Sequence, residues 1–274
     1  MDINNIVYPA LCLGGMGISF GLILGYAGVI FKVEEDERIP LVRTELPGAN
    51  CGACGYTGCD AYANAVVSGK AKPNLCSVGG TNVTQKVSAI MGIEAVIGER
   101  NVAFIRCKGD CDKSKEKYDY QGIADCTIAA ALGGGSKGCA YACLGQGSCF
   151  KACEFGAIQI VDGIAVVTEE KCVACGKCVD ACPKHLIEFV PESADARVGC
   201  HSNDNGKVVK GNCAIGCIGC KLCQKACAFD AITVENFLAK IDYQKCTRCN
   251  ECVAKCPTSA IRTYRSKKTE NKAV

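Results

Sequence analysis

From Ile6 to Phe31 the chain runs IVYPALCLGGMGISFGLILGYAGVIF without one charged side chain. A helix of that length crosses a hydrocarbon layer of about 30 Å. The preceding MDINN carries an acidic residue and no basic one, and the apolar run is too long for a cleaved leader. Residues 1–32 are therefore predicted to be an uncleaved transmembrane anchor in the lipid bilayer. Gly17, Gly21 and Gly25 recur every four residues, a spacing that lets a second helix approach closely. Cys12 lies within the span and reads as packing. Beyond Phe31 the apolar runs shorten. AIQIV at 157–161 and IAVVT at 164–168 predict short strands; AYANAVVSG at 61–69 and ADCTIAAAL at 124–132 predict short helices. The pattern is α+β.

Lys32, Arg38 and Arg43 follow the span and nothing basic precedes it. This places the remainder on the cytoplasmic side, although Glu34, Glu35, Asp36 and Glu37 stand among them.

Composition changes the picture. Of 274 residues 26 are cysteine and none is tryptophan, so an ordinary apolar core is thin and bound metal is expected to help hold the fold. The formal charge of +3 excludes a strongly basic nucleic-acid binder. Six bound clusters, each about −2 with its thiolates, would bring the chain near −9.

CVACGKCVDAC at 172–182, CIGCKLCQKAC at 217–227 and CTRCNECVAKC at 246–256 each space cysteines C-x2-C-x2-C-x3-C. Three thiols two residues apart cannot all pair locally as disulfides. Zinc prefers two separated knuckles and leaves the third thiol unused. A [4Fe–4S] cluster takes three thiolates from such a loop and a fourth from elsewhere, with the last cysteine of each run serving the other cluster.

The pattern recurs at an offset of 74: Cys143, Cys149, Cys153, Cys172, Cys175, Cys178 and Cys182 map onto Cys217, Cys223, Cys227, Cys246, Cys249, Cys252 and Cys256. Cys126 and Cys139 map onto Cys200 and Cys213, and FGAIQI onto FDAITV. The chain thus reads as tandem bacterial two-cluster ferredoxin-like modules. Gln146 faces Cys220, leaving the first copy a ligand short unless Cys139 replaces it. The expected sets are Cys139, Cys143, Cys149 and Cys182; Cys153, Cys172, Cys175 and Cys178; Cys217, Cys220, Cys223 and Cys256; and Cys227, Cys246, Cys249 and Cys252. Upstream, Cys51, Cys54, Cys59 and Cys76 form a fifth. Cys107, Cys111, Cys126, Cys200 and Cys213 remain; four of them would complete a sixth cluster, and the sequence leaves open which.

LGGGSKG at 132–138 has the letters of a dinucleotide fingerprint but follows a predicted helix and leads to Cys139, so it reads as a loop. His185 and His201 are isolated and read as surface residues. The tail after Tyr264 is basic and is expected to be solvated. No P-loop, catalytic triad or flavin-attachment motif occurs, so the chain has no complete active site of its own.

The glycine-rich anchor, the stretch CGACGYTGCDAYA with its distant Cys76, and the ferredoxin repeats together resemble the B subunit of the Rnf complexes, in the longer, anaerobe-type form. The resemblance implies a membrane-anchored electron-transfer subunit of an ion-translocating ferredoxin:NAD+ oxidoreductase in the cytoplasmic membrane. It would take electrons from soluble ferredoxin and pass them to the complex's other membrane subunits, with no nucleic acid involved. The implied layout is an anchor at 1–32, a small 4Fe-4S domain at 33–95, and a first ferredoxin-like module with an upstream cysteine insertion at 96–195. A second module at 196–266 and a basic tail at 267–274 complete it. Two rivals use the same residues: a component of a related complex that reduces a redox-sensing transcription factor, and a cluster-carrying scaffold without a relay.

Overall fold

The structure, a computed structural model, describes residues 4–30 and 36–264. Lys32, Glu34, Glu35 and the basic tail at 267–274 lie outside the described residues.

The uncharged segment forms α1 (Asn4–Ile30), of which Leu11–Ile30 has a mean hydropathy of 1.7 and no burial against the rest of the chain. It is the one helix among the described residues long and apolar enough to cross a membrane. Open space surrounds Gly17, Gly21 and Gly25.

Three short helices follow: α2 (Arg38–Glu45), α3 (Cys59–Val67) and α4 (Gly80–Met91). The last ends on Gly92 at φ +66, where a left-handed residue stops a helix at least cost. Helix α2 packs on both others. Val42, Tyr62, Ala63, Val66 and Val87 close a small core between them, large enough to fix one loop of cysteines.

The rest of the chain is built twice. The first half contains β1 (Asn101–Ile105), α5 (Cys126–Ala131), α6 (Ser148–Lys151), β2 (Ile158–Val161), β3 (Ile164–Val167), α7 (Lys177–Asp180) and β4 (Ile187–Pro191). The second contains β5 (Ala196–Val198), α8 (Gly206–Asn212), α9 (Leu222–Ala226), β6 (Ile232–Glu235), β7 (Leu238–Ile241), α10 (Glu251–Ala254) and β8 (Ile261–Thr263). Hairpins β2–β3 and β6–β7 are antiparallel with the same register at the 74-residue offset, Ile158 on Val167 and Ile232 on Ile241. The outer ribbons close each half in the same way, β1 on β4 and β5 on β8. The strands that the alternation at 157–168 predicts, and the helix in ADCTIAAAL, are present as β2, β3 and α5.

The outer ribbons correct one expectation. Ile105 pairs with Ile187, and Val198 with Ile261. Ile187 and Ile261 are 74 apart, but Ile105 and Val198 are 93 apart, because 107–143 is longer than 200–217. The structural equivalent of Cys200 is therefore Cys107, and the alignment of Cys126 with Cys200 does not hold in space.

Each half has its own apolar core, into which cysteines pack beside Ile, Leu and Val. Arg197 crosses between the halves. It is 1% exposed, pairs with Glu169 at 2.5 Å, donates to the carbonyl of Ala194, and lies against the rings of Phe104 and Tyr264. A guanidinium so buried needs all of these partners to offset lost hydration.

Candidate iron–sulfur sites

The cysteine loops share one backbone device. In 172–178 the residues flanking the central cysteine, Ala174 and Gly176, both have positive φ, as do Gly219 and Lys221 around Cys220 and Arg248 and Asn250 around Cys249. Gly145 and Gly147 flank Gln146 identically. Left-handed residues other than glycine cost about 1–2 kcal/mol, so Ala174, Lys221, Arg248 and Asn250 hold a shape the loop demands. Such turns direct successive N–H groups into a concavity suited to an anionic centre. A short helix then begins, and the third cysteine of each run lies in it, buried: Cys149, Cys178, Cys223 and Cys252.

Cys51, Cys54, Cys59 and Cys76 line one small pocket. Asn50 Oδ1 accepts the N–H of Cys59 at 2.8 Å, Gly79 N–H donates to Cys76 Sγ at 3.4 Å, and the buried Tyr62 hydroxyl accepts from Leu75 N–H and donates to Lys72 O. Cys153, Cys172, Cys175 and Cys178 line a second pocket, where Ala103 and Ala157 N–H groups donate to Cys172 and Cys153 at 3.3 Å.

A third pocket is lined by Cys126, Cys143, Cys149 and Cys182. The expected member Cys139 is elsewhere. Asp125 caps α5 by accepting the N–H groups of Thr127 and Ile128 and also accepts the hydroxyl of Ser148, whose oxygen takes the N–H of Cys126. That linkage carries Cys126 to the place Gln146 leaves open. Cys139 is drawn off because Gly138 pairs with Lys115 (N–H to O, 2.7 Å). It lines a small cavity with Cys107, Cys200 and Cys213.

In the second half, burial and then the charges of Cys217, Cys220 and Cys256 push the Cys223 thiol up to about 11. Cys252 rises to about 11 by burial and by Cys246, Cys249 and Cys227. These are the two groupings expected from the motifs. Cys111 is exposed and belongs to none of these groupings. His185 is exposed, but His201 is half-buried, lies edge-on to Tyr141 and faces the Cys139 cavity, contrary to its reading as a surface residue.

A tetrahedral zinc site would bring four sulfurs within about 4 Å of each other. Among the described residues no three Cys, His, Asp or Glu side chains group tightly enough for a single ion. The thiols instead stand around volumes, with backbone N–H groups aimed at their sulfurs. That donor set fits the corners of a cluster.

The sets also adjoin. Cys175 is raised by burial and then by neighbours that include Cys51. Cys149, pushed up to about 12 by burial, feels Cys143, Cys126, Cys182 and also Cys178. Of the residues behind these contacts, the Asp125–Cys126 helix start was readable in sequence; Ser148 and Tyr62 carry no local signal.

An Fe-S cluster family matches residues 46–78, and 4Fe-4S dicluster domains match 171–231 and 216–261. The chain is 49% identical over 260 residues to the B subunit of the Na(+)-translocating ferredoxin:NAD(+) oxidoreductase complex of Acetobacterium woodii, covering 94% of this chain and 78% of that one. It is 44% identical to the B subunit of the ion-translocating oxidoreductase complex of Methanosarcina acetivorans, over 91% and 95% of the two chains. The B subunit of the proton-translocating ferredoxin:NAD(+) oxidoreductase complex of Clostridium ljungdahlii is 42% identical over 94% and 93%. The chain belongs to the Rnf B-subunit family. It is thus an iron–sulfur electron-transfer component of an Rnf complex, with 4Fe-4S domains. The dicluster match at 171–231 joins one run from each half, whereas in space Cys182 lies with Cys143 and Cys149, and Cys227 with Cys252.

Proposed function

We propose that this chain is the ordered electron conduit of an Rnf complex, accepting electrons from reduced soluble ferredoxin and delivering them to membrane partners. Five sets would hold [4Fe–4S] clusters: Cys51, Cys54, Cys59 and Cys76; Cys153, Cys172, Cys175 and Cys178; Cys126, Cys143, Cys149 and Cys182; Cys217, Cys220, Cys223 and Cys256; and Cys227, Cys246, Cys249 and Cys252. The two halves are then tandem two-cluster ferredoxin-like modules. A bound cluster supplies reversible one-electron chemistry at a potential set by its surroundings. The chain's residues hold the sets in order, keep water from the buried thiolates, and aim N–H groups at the sulfurs.

The observation that carries the reading is adjacency. Cys51, in the domain next to the anchor, neighbours Cys175, and Cys178 neighbours Cys149. At the other end of the chain Cys220 and Cys249 are exposed. Exposed Lys221, Lys225, Arg248 and Lys255 accompany them and suit an acidic carrier. Arg38 and Arg43 follow α1 but are paired with Asp36 and Asp60. The rule that basic residues flank the cytoplasmic end still supports a single-pass anchor with the cluster domains in the cytoplasm. Residues 6–31 offer no charged side chain to carry an ion, so ion movement belongs to partner subunits.

Cys54→Ala in the assembled complex tests the order. Electron delivery to the membrane subunits stops, while the sets of the C-terminal half still reduce with ferredoxin. Normal delivery in that variant would refute the order.

A further inference from the structure

The two halves differ at one tip. In each, the first cysteine loop packs under the turn of the hairpin that follows. A Cβ on Gly145 would stand 2.5 Å from Gly163 O, and one on Gly219 would stand 2.8 Å from Phe237 Cα. Each turn has two residues, both left-handed: Asp162 and Gly163 in β2–β3, Asn236 and Phe237 in β6–β7. Glycine suits the second position of such a turn, and a bulky residue is held there only against strain. Phe237 has φ +61 and is 52% exposed, so its ring is not recruited to the core.

The first half covers this tip with its own chain. The segment between Cys107 and Cys143, longer than its counterpart between Cys200 and Cys217, lies against it. Lys137 Nζ donates to Gly163 O and Cys111 N–H to Asp162 O, each at 3.0 Å, and a Cβ on Gly163 would stand 2.6 Å from Cys111 Sγ. Cys126 N–H donates to Ser148 Oγ at 2.7 Å, Gly147 is buried and Gln146 is half-buried. The same positions of the second half are Cys220, Lys221, Leu222 and Phe237, all exposed, with Leu222 at 45%. Small or polar residues stand where the segment seats, and large apolar ones where it is missing.

We infer that this bare tip is the docking face for reduced soluble ferredoxin, with Phe237 and Leu222 as apolar anchors beside Cys220. Charge selects the occupant. Residues 205–229 carry four lysines, all exposed, and no acidic residue. Lys221 and Lys225, one helical turn apart, flank Leu222. An apolar centre in a basic rim suits an acidic carrier. The loop of Cys249, the other exposed central cysteine of this half, is already engaged: Arg248 pairs with Glu99, and Asn250 donates to Asp195. One electron leaves the carrier's reduced cluster and reduces the cluster proposed at Cys217, Cys220, Cys223 and Cys256, with no bond made or broken. The inference rests on the proposed role of the chain as ferredoxin acceptor.

The full chain, purified in detergent and reconstituted anaerobically with iron and sulfide, is titrated with a soluble acidic two-cluster ferredoxin by biolayer interferometry. Phe237→Gly and Leu222→Ser, which install the first half's residues, each weaken binding about tenfold and keep the parental iron content. Phe237→Gly folds at least as well as the parent, because glycine relieves the turn. Lys221→Glu combined with Lys225→Glu weakens binding at low salt and loses its effect at high salt. Lys255→Glu, in the run of Cys249, binds as the parent does. Parental affinity in both Phe237→Gly and Leu222→Ser overturns the inference. If Lys255→Glu alone weakens binding, ferredoxin docks at the Cys249 loop and the acceptor role stands. If the parent itself does not bind ferredoxin, both fall. Variants that bind ferredoxin normally but no longer co-purify with the membrane subunits would assign the face to a partner subunit, and variants that abolish a dimer seen by sedimentation would assign it to a second copy; either result overturns the inference.

Discussion

Ser148 Oγ accepts the backbone N–H of Cys126 at 2.7 Å across 22 residues of sequence. Through that bond a cysteine at a helix start reaches the pocket of Cys143, Cys149 and Cys182, whose run lacks a central cysteine. Gln146 occupies the vacant position, between left-handed Gly145 and Gly147, just as Cys175, Cys220 and Cys249 lie between left-handed neighbours.

A rescue experiment follows from this substitution of one position for another. Cys126→Ser is expected to lose about four irons, and adding Gln146→Cys should restore them, because the loop already has the backbone of a ligating run. Iron, sulfide and EPR on the single and double variants check this; a double variant that stays four irons short contradicts the equivalence.

Tyr62 ties Cys76 to the helical core. Its hydroxyl donates to Lys72 O at 2.8 Å and accepts Leu75 N–H at 3.2 Å, one residue before Cys76. Tyr62→Phe leaves both groups unpartnered at a cost of about 1–3 kcal/mol. Iron should leave the Cys51–Cys76 set faster under chelation while the other sets keep parental rates, as followed by EPR. Uniform loss from every set would show that Tyr62 acts on global stability instead.

Lys137 is 2% exposed and donates to the carbonyls of Gly109 and Gly163 at 2.8 and 3.0 Å. Burial raises the thiols of Cys143 and Cys213, and the Lys137 charge partly opposes the rise at both. The same cation favours an added electron nearby. Lys137→Met is expected to shift the potential of the cluster proposed at the Cys143 set downward, read by EPR-monitored redox titration. Unchanged or raised potentials would rule out an electrostatic role.

Loading should depend on pH. Burial pushes Cys149 and Cys178 up to about 12 and Cys200, Cys223 and Cys252 up to about 11. Near neutral pH these are therefore protonated thiols in the unloaded chain, and cluster binding must expel the protons. Each unit fall in pH opposes loading by about 1.4 kcal/mol per proton released. Chelators should strip iron further near pH 6 than near pH 8, and equal stripping would contradict this. The unloaded fold behaves oppositely. The raised pKa values stabilise it fully below the ordinary thiol value of 9.0, and that contribution is lost as pH climbs through 11 to 12. Denaturant titration of the metal-free chain checks the sign.

The residues alone determined a membrane-length helix, because the uncharged run from Ile6 to Phe31 needs no partner to declare one. They also set out the cysteine runs, whose closely spaced thiols are the candidate ligands, and the doubling of the ferredoxin pattern with its 74-residue spacing. Only tertiary structure decided which thiols from distant parts of the chain come together. Cys126 and Cys139 are each spaced plausibly for the set that Gln146 leaves incomplete. What separates them is the Ser148 hydrogen bond on one side and the pairing of 136–138 with 115–117 on the other. Likewise Cys107 matches Cys200 only through strand register, which a longer segment in the first half hides from any constant offset. Local spacing encodes what one loop can reach; a position filled across dozens of residues is set by which backbone edges pair, and that is a property of the folded chain.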